Sequence, residues 1–248
     1  MGAPGGADDG LRSAAALVFV ADPTDPVPEP EDRHHLVRVL RLRPGERVAA
    51  ADGRGTWVPC RFRDHPGERV LEVDGPARHT PAPAPALSVA FAPVKAERPE
   101  WVVQKLTEIG IDRIVVTWTA RSVVRWPGDR AEKAGARLAR VAREAAAQCR
   151  RVWLPRVDQA ASLADVVDGP GGRWALAEPG APAPWAGLSS VAVGPEGGWS
   201  PGELGAAPAT VGLAPHVLRA ETAALAAGVL LVALRAGTVE VRSPGDGG

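Results

Sequence analysis

A chain of 248 residues with 45% hydrophobic side chains can build one large or two ordinary domains around a real core. Its 29 basic residues balance 29 acidic ones, which argues against a simple polyanion binder, and two cysteines, Cys60 and Cys149, give neither a disulfide framework nor a metal-ligand set. The longest apolar stretch near the C-terminus, Ala223–Leu234, has 12 residues against the roughly 20 a bilayer needs, and the acidic, Gly-rich start lacks the pattern of a signal peptide; the expectation is a cytoplasmic protein with no membrane segment and no metal.

Residues 17–80 read as β structure. ALVFV (Ala16–Val20), RVAAAD, TWVPCRF and RVLEVDG are short strands separated by the Gly-bearing breaks PGE, DGRGT and DHPGE, a spacing that suggests a small barrel. One helical piece, EDRHHLVRVLRL, interrupts them, with Leu36, Val39 and Leu40 on one face. The Pro-Ala alternation of His79–Ala86 is a stiff extended linker, so the domain boundary is placed there: residues 1–80, then 81–248.

Beyond the linker the pattern alternates. Leu87–Val94 is a near-continuous apolar strand, Glu97–Gly110 a helix, DRIVVTWT a strand and Gly128–Gln148 a long helix. VWLPRV, RWALAEP and SVAVGPEGG are further apolar runs; helices follow at Pro201–Ala206 and Thr222–Arg235. This order predicts an α/β fold with a parallel sheet covered on both faces. On the long helix, Ala134, Leu138, Val141, Ala145 and Cys149 form the predicted buried stripe, while Lys133, Arg137, Arg140 and Arg143 form a cationic face open to solvent or to RNA phosphate.

The neutral total hides a segregation. Residues 33–69 carry nine Arg against four acids, and residues 120–156 nine Arg and one Lys against three acids. A general preference for Arg explains the residue type but not the clustering, which suits a phosphate-bearing partner.

Several familiar sites are missing. No G-x-G-x-x-G follows the first strand, there is no P-loop, H-E-x-x-H or G-x-S-x-G, and His34–His35 has no third ligand at useful spacing. Two segments remain. Val191–Leu204, VAVGPEGGWSPGEL, is a strand entering a glycine-rich loop whose Gly194, Gly197 and Gly198 let backbone approach a ligand. Ser200, Pro201 and Glu203 then fit N-cap, first position and third position of a capping box. An ordinary strand–helix turn fits the same spacing. The second segment, GLAPHVLRAETAALAA, puts Arg219 and Glu221 at the mouth of the last helix. The helix dipole suits Glu221 but disfavours Arg219, so either a substrate anion or a pairing with Glu221 holds the arginine there.

Together VGPEGGWSPGEL and LAPHVLRAETAALAA resemble the ribosomal RNA small subunit methyltransferase E family of the SPOUT superfamily. HHLVRVLRLRPGE, the segment around Gln104, Lys105, Glu108 and Gly110, TARSVVR and REAAAQCRR are similar to further family motifs, so the resemblance spans residues 33–227 in order. It departs at Ala120 and Ala147, where acids are usual, and at Arg150 and Ala214, where glycine is. The resemblance implies an N-terminal PUA-like β-barrel and a parallel-sheet domain with a C-terminal trefoil knot. It implies methylation of N3 of a uridine in 16S rRNA of the small ribosomal subunit, S-adenosyl-L-methionine as cofactor, and a homodimer.

Carried over residue by residue, Arg219 and Glu221 are the expected catalytic pair. The cofactor falls to the loops around Ala177, Glu178 and Pro179; Val193, Gly194, Pro195, Glu196, Gly197 and Gly198; and Leu213, Ala214, Val217 and Leu218, with Thr222 and Ala223 on the helix. RNA contacts fall to Arg38, Arg41, Arg121, Arg125, Gln148, Arg150 and Arg151. Other RNA substrates, a non-catalytic assembly factor keeping the fold, and a metabolite-binding α/β protein are the alternative readings.

Overall fold

The computed structural model describes residues 9–63, 70–93, 98–123, 126, 128–160, 162–167 and 174–239. It divides into two compact units, Met1–Ala82 with Arg143–Leu154, and Pro83–Ala142 with Pro155–Gly248.

In the first unit α1 (Asp9–Arg12) leads to β1 (Ala16–Phe19). A short α2 (Pro30–His34) runs into a π-helical turn, His35–Val39, and then come β2 (Arg47–Ala51), β3 (Thr56–Phe62), β4 (Leu71–Val73) and β5 (Arg78–His79). β1 lies parallel to β2, and β3 pairs antiparallel with β2, β4 and β5. Successive strand residues point to opposite faces, so the unit has two cores. Val18, Val48, Ala50, Val58, Cys60 and Phe62 pack with Leu36 on one side; Leu17, Phe19, Ala49, Ala51 and Trp57 pack with Leu11, Ala146 and Val152 on the other. Burial, with Asp74 nearby, pushes the Cys60 thiol up to about 12, which makes it a core residue and not a nucleophile.

The helical piece after β1 is shorter than its pattern predicts. Leu36 is fully buried, whereas Val39 and Leu40 are exposed, because the π turn ends at Leu40 and Arg41 takes a left-handed φ of 52°. The Pro-Ala stretch does not start as a bare linker either. His79 belongs to β5, the Thr80 N–H bonds the Gly55 carbonyl at 2.9 Å, and the Thr80 carbonyl accepts from Trp153 Nε1 at 2.8 Å.

In the second unit β6 (Ser88–Phe91), α3 (Arg98–Ile109), β7 (Arg113–Thr117), α4 (Asp129–Gln148), β8 (Arg156–Ala160), α5 (Leu163–Val167), β9 (Trp174–Ala177), β10 (Ser190–Val193), α6 (Pro201–Ala206), β11 (Thr210–Val211) and α7 (Ala220–Ala236) follow in order. The residues of α4 from Arg143 onward are counted with the first unit. All sheet pairs are parallel, in the order β11-β9-β10-β6-β7-β8. Val89, Phe91, Ile114, Val116, Val191 and Val193 face α3 and α7; Ala90, Val115, Trp174, Leu176 and Ala192 face α5 and Trp199. Both faces are covered, as a parallel sheet requires. The short β11 and α5 have no clear sequence signal. β8 falls on polar RVDQA at the sheet edge and shares only Arg156 and Val157 with VWLPRV.

Two predicted features of α4 change. Its buried residues are Leu138, Ala142, Ala145 and Ala146; Cys149 is exposed beyond the helix end, where Arg150 turns left-handed at φ 63°. Its cationic face is partly neutralised. Arg137 pairs with Glu100 at 3.1 Å, while Arg143 reaches Asp32 at 2.7 Å and the Phe19 carbonyl at 3.1 Å. These arginines have structural uses in addition to any RNA contact.

The far end of the second unit is held by Asp112. Its Oδ2 accepts the Leu87 N–H at 2.9 Å and Arg235 Nη1 at 2.5 Å, so the last turn of α7 is fastened beside the starts of β6 and β7.

Candidate functional site

Ligands of open parallel sheets sit outside the carboxyl ends of the strands. Here the ends of β9 and β10 and the chain leaving β11 enclose a cleft of about 580 Å³. Every residue expected to hold the cofactor lines it except Thr222, which is exposed on the first turn of α7: Ala177, Glu178, Val193, Gly194, Pro195, Glu196, Gly197, Gly198, Leu213, Ala214, Val217, Leu218 and Ala223 all reach the wall. Pro179, His216 and Arg219 line it too. Arg121, grouped with the RNA contacts by sequence, is a further wall residue.

Arg219 is the N-cap of α7, exposed, with an extended ψ of 153° and no capping bond from its side chain. Ala220 therefore opens the helix, two residues earlier than predicted. Glu221 is half-buried in the first turn and lies outside the cleft wall.

Trp199 and Ala220 are wall residues that sequence reasoning passed over. A signal existed for Trp199. It precedes the N-cap Ser200 and packs near Leu204, the arrangement of a hydrophobic staple. Its Nε1 donates to the Ala177 carbonyl at 2.9 Å and so ties the end of β9 to the loop after β10. A Cβ on Gly194 would lie 3.1 Å from the indole Cε2, so glycine there leaves room for the ring.

The capping box is present. Ser200 Oγ accepts the Glu203 N–H at 3.3 Å, and Glu203 Oε2 accepts the Ser200 N–H at 2.8 Å. The other oxygen, Oε1, accepts the Ala120 N–H at 2.9 Å, and Arg121 Nη1 donates to the Gly197 carbonyl at 2.9 Å.

Partial burial works against ionisation of Glu203, but the hydrogen bonds from Ser200 and Ala120 and the charge of Arg121 outweigh it and hold the carboxyl below its ordinary value. A depressed carboxylate contributes stability above the unfolded-state value, and that contribution is lost as pH falls through the folded value. Thermal melts across the acid range should show a smaller fall in stability for Glu203→Gln than for the unmodified chain. Equal acid dependence would mean that the carboxylate charge does not hold the loop.

The remaining RNA-side residues lie in the first unit. Arg38, Arg41 and Gln148 are exposed and Arg151 is half-buried. Arg150 is turned inward, donating to the carbonyls of Ala147, Ala14 and Ala15 at 2.9, 3.1 and 2.7 Å, and burial lowers its pKa, with only a small opposing effect from Cys149. Arg125 lies outside the described residues. Among the described residues no helix is long and apolar enough to cross a membrane.

A parallel sheet with a glycine-bordered cleft at its strand ends, walled by three loops, defines an α/β ligand-binding domain. The model of the RNA methyltransferase domain matches residues 80–232, and that of the RNA methyltransferase PUA domain matches residues 27–69. The chain belongs to the RNA methyltransferase domain family.

It is 34% identical over 129 residues to the Ribosomal RNA small subunit methyltransferase E of Mycobacterium bovis, a match covering 52% of this chain and 49% of that protein. The chain thus spans about half the length of the curated relatives it matches. A structure described as a probable rRNA-methyltransferase from Porphyromonas gingivalis superposes with TM-score 0.72 at 28% identity, covering 90% of this chain and all of that one (100%). The Ribosomal RNA small subunit methyltransferase E of Neisseria gonorrhoeae, solved bound to S-adenosyl methionine, gives 0.72 at 24% identity over 88% and 97%, a likeness of fold.

Proposed function

We propose that the chain is an S-adenosyl-L-methionine-dependent methyltransferase that modifies N3 of one uridine in the 16S rRNA of the small ribosomal subunit. The observation that carries this reading is the meeting of the glycine-rich loop after β10 and the HVLR segment leading into α7 in one cleft. The cleft fits such a cofactor. Its volume lies within the roughly 300–1,000 Å³ usual for small-molecule sites, and its wall combines apolar Val193, Leu213 and Leu218 with close backbone. A chain of the same fold holds S-adenosyl methionine.

When bound, the cofactor supplies a methyl group already activated on a sulfonium. The chain's own task is to position the acceptor and stabilise its charge. Uridine N3 reacts once its proton has left, and the resulting charge spreads onto O2 and O4. Arg219 stabilises that charge from the cleft wall, as a fixed cation aimed where charge develops. Glu221, in the first turn of α7 and off the wall, orients Arg219, and solvent takes the proton. The uridine leaves its stack to reach the cleft.

Residues 1–80 act in this reading as a PUA-like β-barrel that binds RNA, and residues 81–248 as the SPOUT domain with its trefoil knot. The Gly212 N–H bonds the Pro182 carbonyl at 2.7 Å, so the chain leaving β11 runs against the loop between β9 and β10 before α7 packs on β10 and β6. That course is what a knot needs. A homodimer in the cytoplasm, with no metal or membrane partner, belongs to the same reading.

Arg38, Arg41, Arg121, Arg125, Gln148 and Arg151 contact RNA, chiefly its phosphates, and Arg150 supports their scaffold. Arg41→Ala should therefore lower the slope of log affinity against log salt by about 1. Arg150→Ala should leave that slope unchanged while lowering thermal stability. Filter binding at several salt concentrations checks both; a reduced slope for Arg150→Ala would return it to the phosphate contacts.

The deciding experiment incubates the protein with labelled S-adenosylmethionine and small ribosomal subunits lacking the modification, then locates the label by nuclease digestion and mass spectrometry. N3-methyluridine at one site is the expected result. Cofactor binding without label would redirect the search to another RNA, and failure to bind cofactor would overturn the reading.

A further inference from the structure

A capping box uses one carboxylate oxygen, and Oε2 of Glu203 fills that role with the Ser200 N–H at 2.8 Å. Oε1 leaves α6 altogether. It accepts the N–H of Ala120, 83 residues earlier, at 2.9 Å. Ala120 stands in the turn after β7, which is shaped from within by the Thr119 N–H bonded to Ser122 Oγ at 2.9 Å. The next residue, Arg121, lines the cleft and donates Nη1 to the Gly197 carbonyl at 2.9 Å. The same two segments are thus joined twice, once through a backbone N–H and once through a side chain.

The two bonds depend on each other. A single hydrogen bond to a carbonyl is a weak restraint on a long exposed side chain, whose rotamer freedom opposes ordering. Fixing the backbone on which Arg121 stands removes part of that freedom. The planar guanidinium keeps its donors on more than one edge, so the edge away from Gly197 can meet an anion in bidentate fashion.

We infer that Glu203 is a positioning residue for substrate: its carboxylate fixes the 119–122 turn so that Arg121 lies across Gly197 and presents a donor edge to a phosphate of the RNA. This rests on the reading of the cleft as a methyl-transfer site. It adds a role for a residue whose motif position explains only a helix cap, and it explains why alanine serves at position 120, where only the backbone is used.

A double-mutant cycle over Glu203→Ala and Arg121→Ala tests the coupling. Glu203→Ala should raise the KM for RNA by about tenfold, the scale of one hydrogen bond to a charged group, with a smaller change in cofactor affinity measured by calorimetry. In the Arg121→Ala background the same substitution should add little. Glu203→Gln keeps one acceptor oxygen and should fall between. Additive effects on KM, or an unchanged KM in Glu203→Ala, would overturn the inference; a plain loss of stability would instead lower cofactor binding equally in both backgrounds.

Amide hydrogen exchange separates this from the function itself. Glu203→Ala should deprotect Ala120, and unchanged protection there would overturn the clamp whether or not the protein is active. An unmodified chain that binds RNA but transfers no methyl group would sink the reading of the cleft while leaving the exchange result to judge the clamp.

Discussion

Arg219→Ala is expected to lower methyl transfer by about a hundredfold or more while leaving cofactor affinity nearly unchanged. The arginine occupies the N-cap of α7, where the helix dipole disfavours a cation and where its side chain makes no capping bond. In the proposed function, a cation kept here against the dipole serves what enters the cleft it lines. In the proposed reaction the charge it would meet forms on the acceptor only as the proton leaves and the methyl arrives. Its removal should therefore appear in kcat and kcat/KM together, with little change in cofactor binding. Arg219→Lys keeps a point charge but loses the planar fork and should recover only part of the rate. Single-turnover transfer with saturating cofactor reads all three proteins. Full turnover in Arg219→Ala would remove the arginine from the chemistry and reduce it to a substrate-docking or structural role.

The parts of the site legible in the sequence were those whose cause is local. A capping box is complete within four residues, so Ser200 and Glu203 could be paired on the page, and the structure has both bonds. The alternating apolar segments likewise carried the parallel sheet, because each strand needs two hydrophobic faces wherever it sits. What stayed hidden depends on distant partners. The Oε1 bond of Glu203 reaches Ala120, and the Trp199 indole reaches Ala177; no periodicity encodes either. Val39 and Leu40 have helical spacing with Leu36, yet the π turn and the left-handed Arg41 carry them into solvent. Charge was the most misleading signal. Counting basic residues could not show that Arg137 and Arg143 meet Glu100 and Asp32, or that Arg150 turns onto backbone carbonyls. A basic block is an upper bound on the charge a partner meets.

Gly212→Ala should be among the most damaging small substitutions in the chain. A Cβ at that position would overlap the Ala181 carbonyl oxygen and press on its carbon at 3.3 Å, and both are backbone atoms that cannot swing aside as a side chain tip can. The N–H of Gly212 is bonded to the Pro182 carbonyl at 2.7 Å, so the two segments cannot separate without losing that bond. Overpacking of this kind costs about 3 kcal/mol, the upper part of the usual range, because the backbone must move. The consequence reaches the site, since Leu213 and Ala214 follow directly in the cleft wall and Ala177–Pro179 border it from the loop that would be displaced. Gly212→Ala should thus lower both the melting temperature and the affinity for S-adenosylmethionine. Ala214→Gly, at a wall position nearby, should leave the melting temperature close to that of the unmodified chain. Scanning calorimetry with and without cofactor measures both quantities. A Gly212→Ala protein that melts normally but binds cofactor weakly would mean that the loop yields at little cost and that contact with the ligand alone sets the glycine. Normal melting and normal binding together would show that the close approach at Ala181 is not required for the cleft.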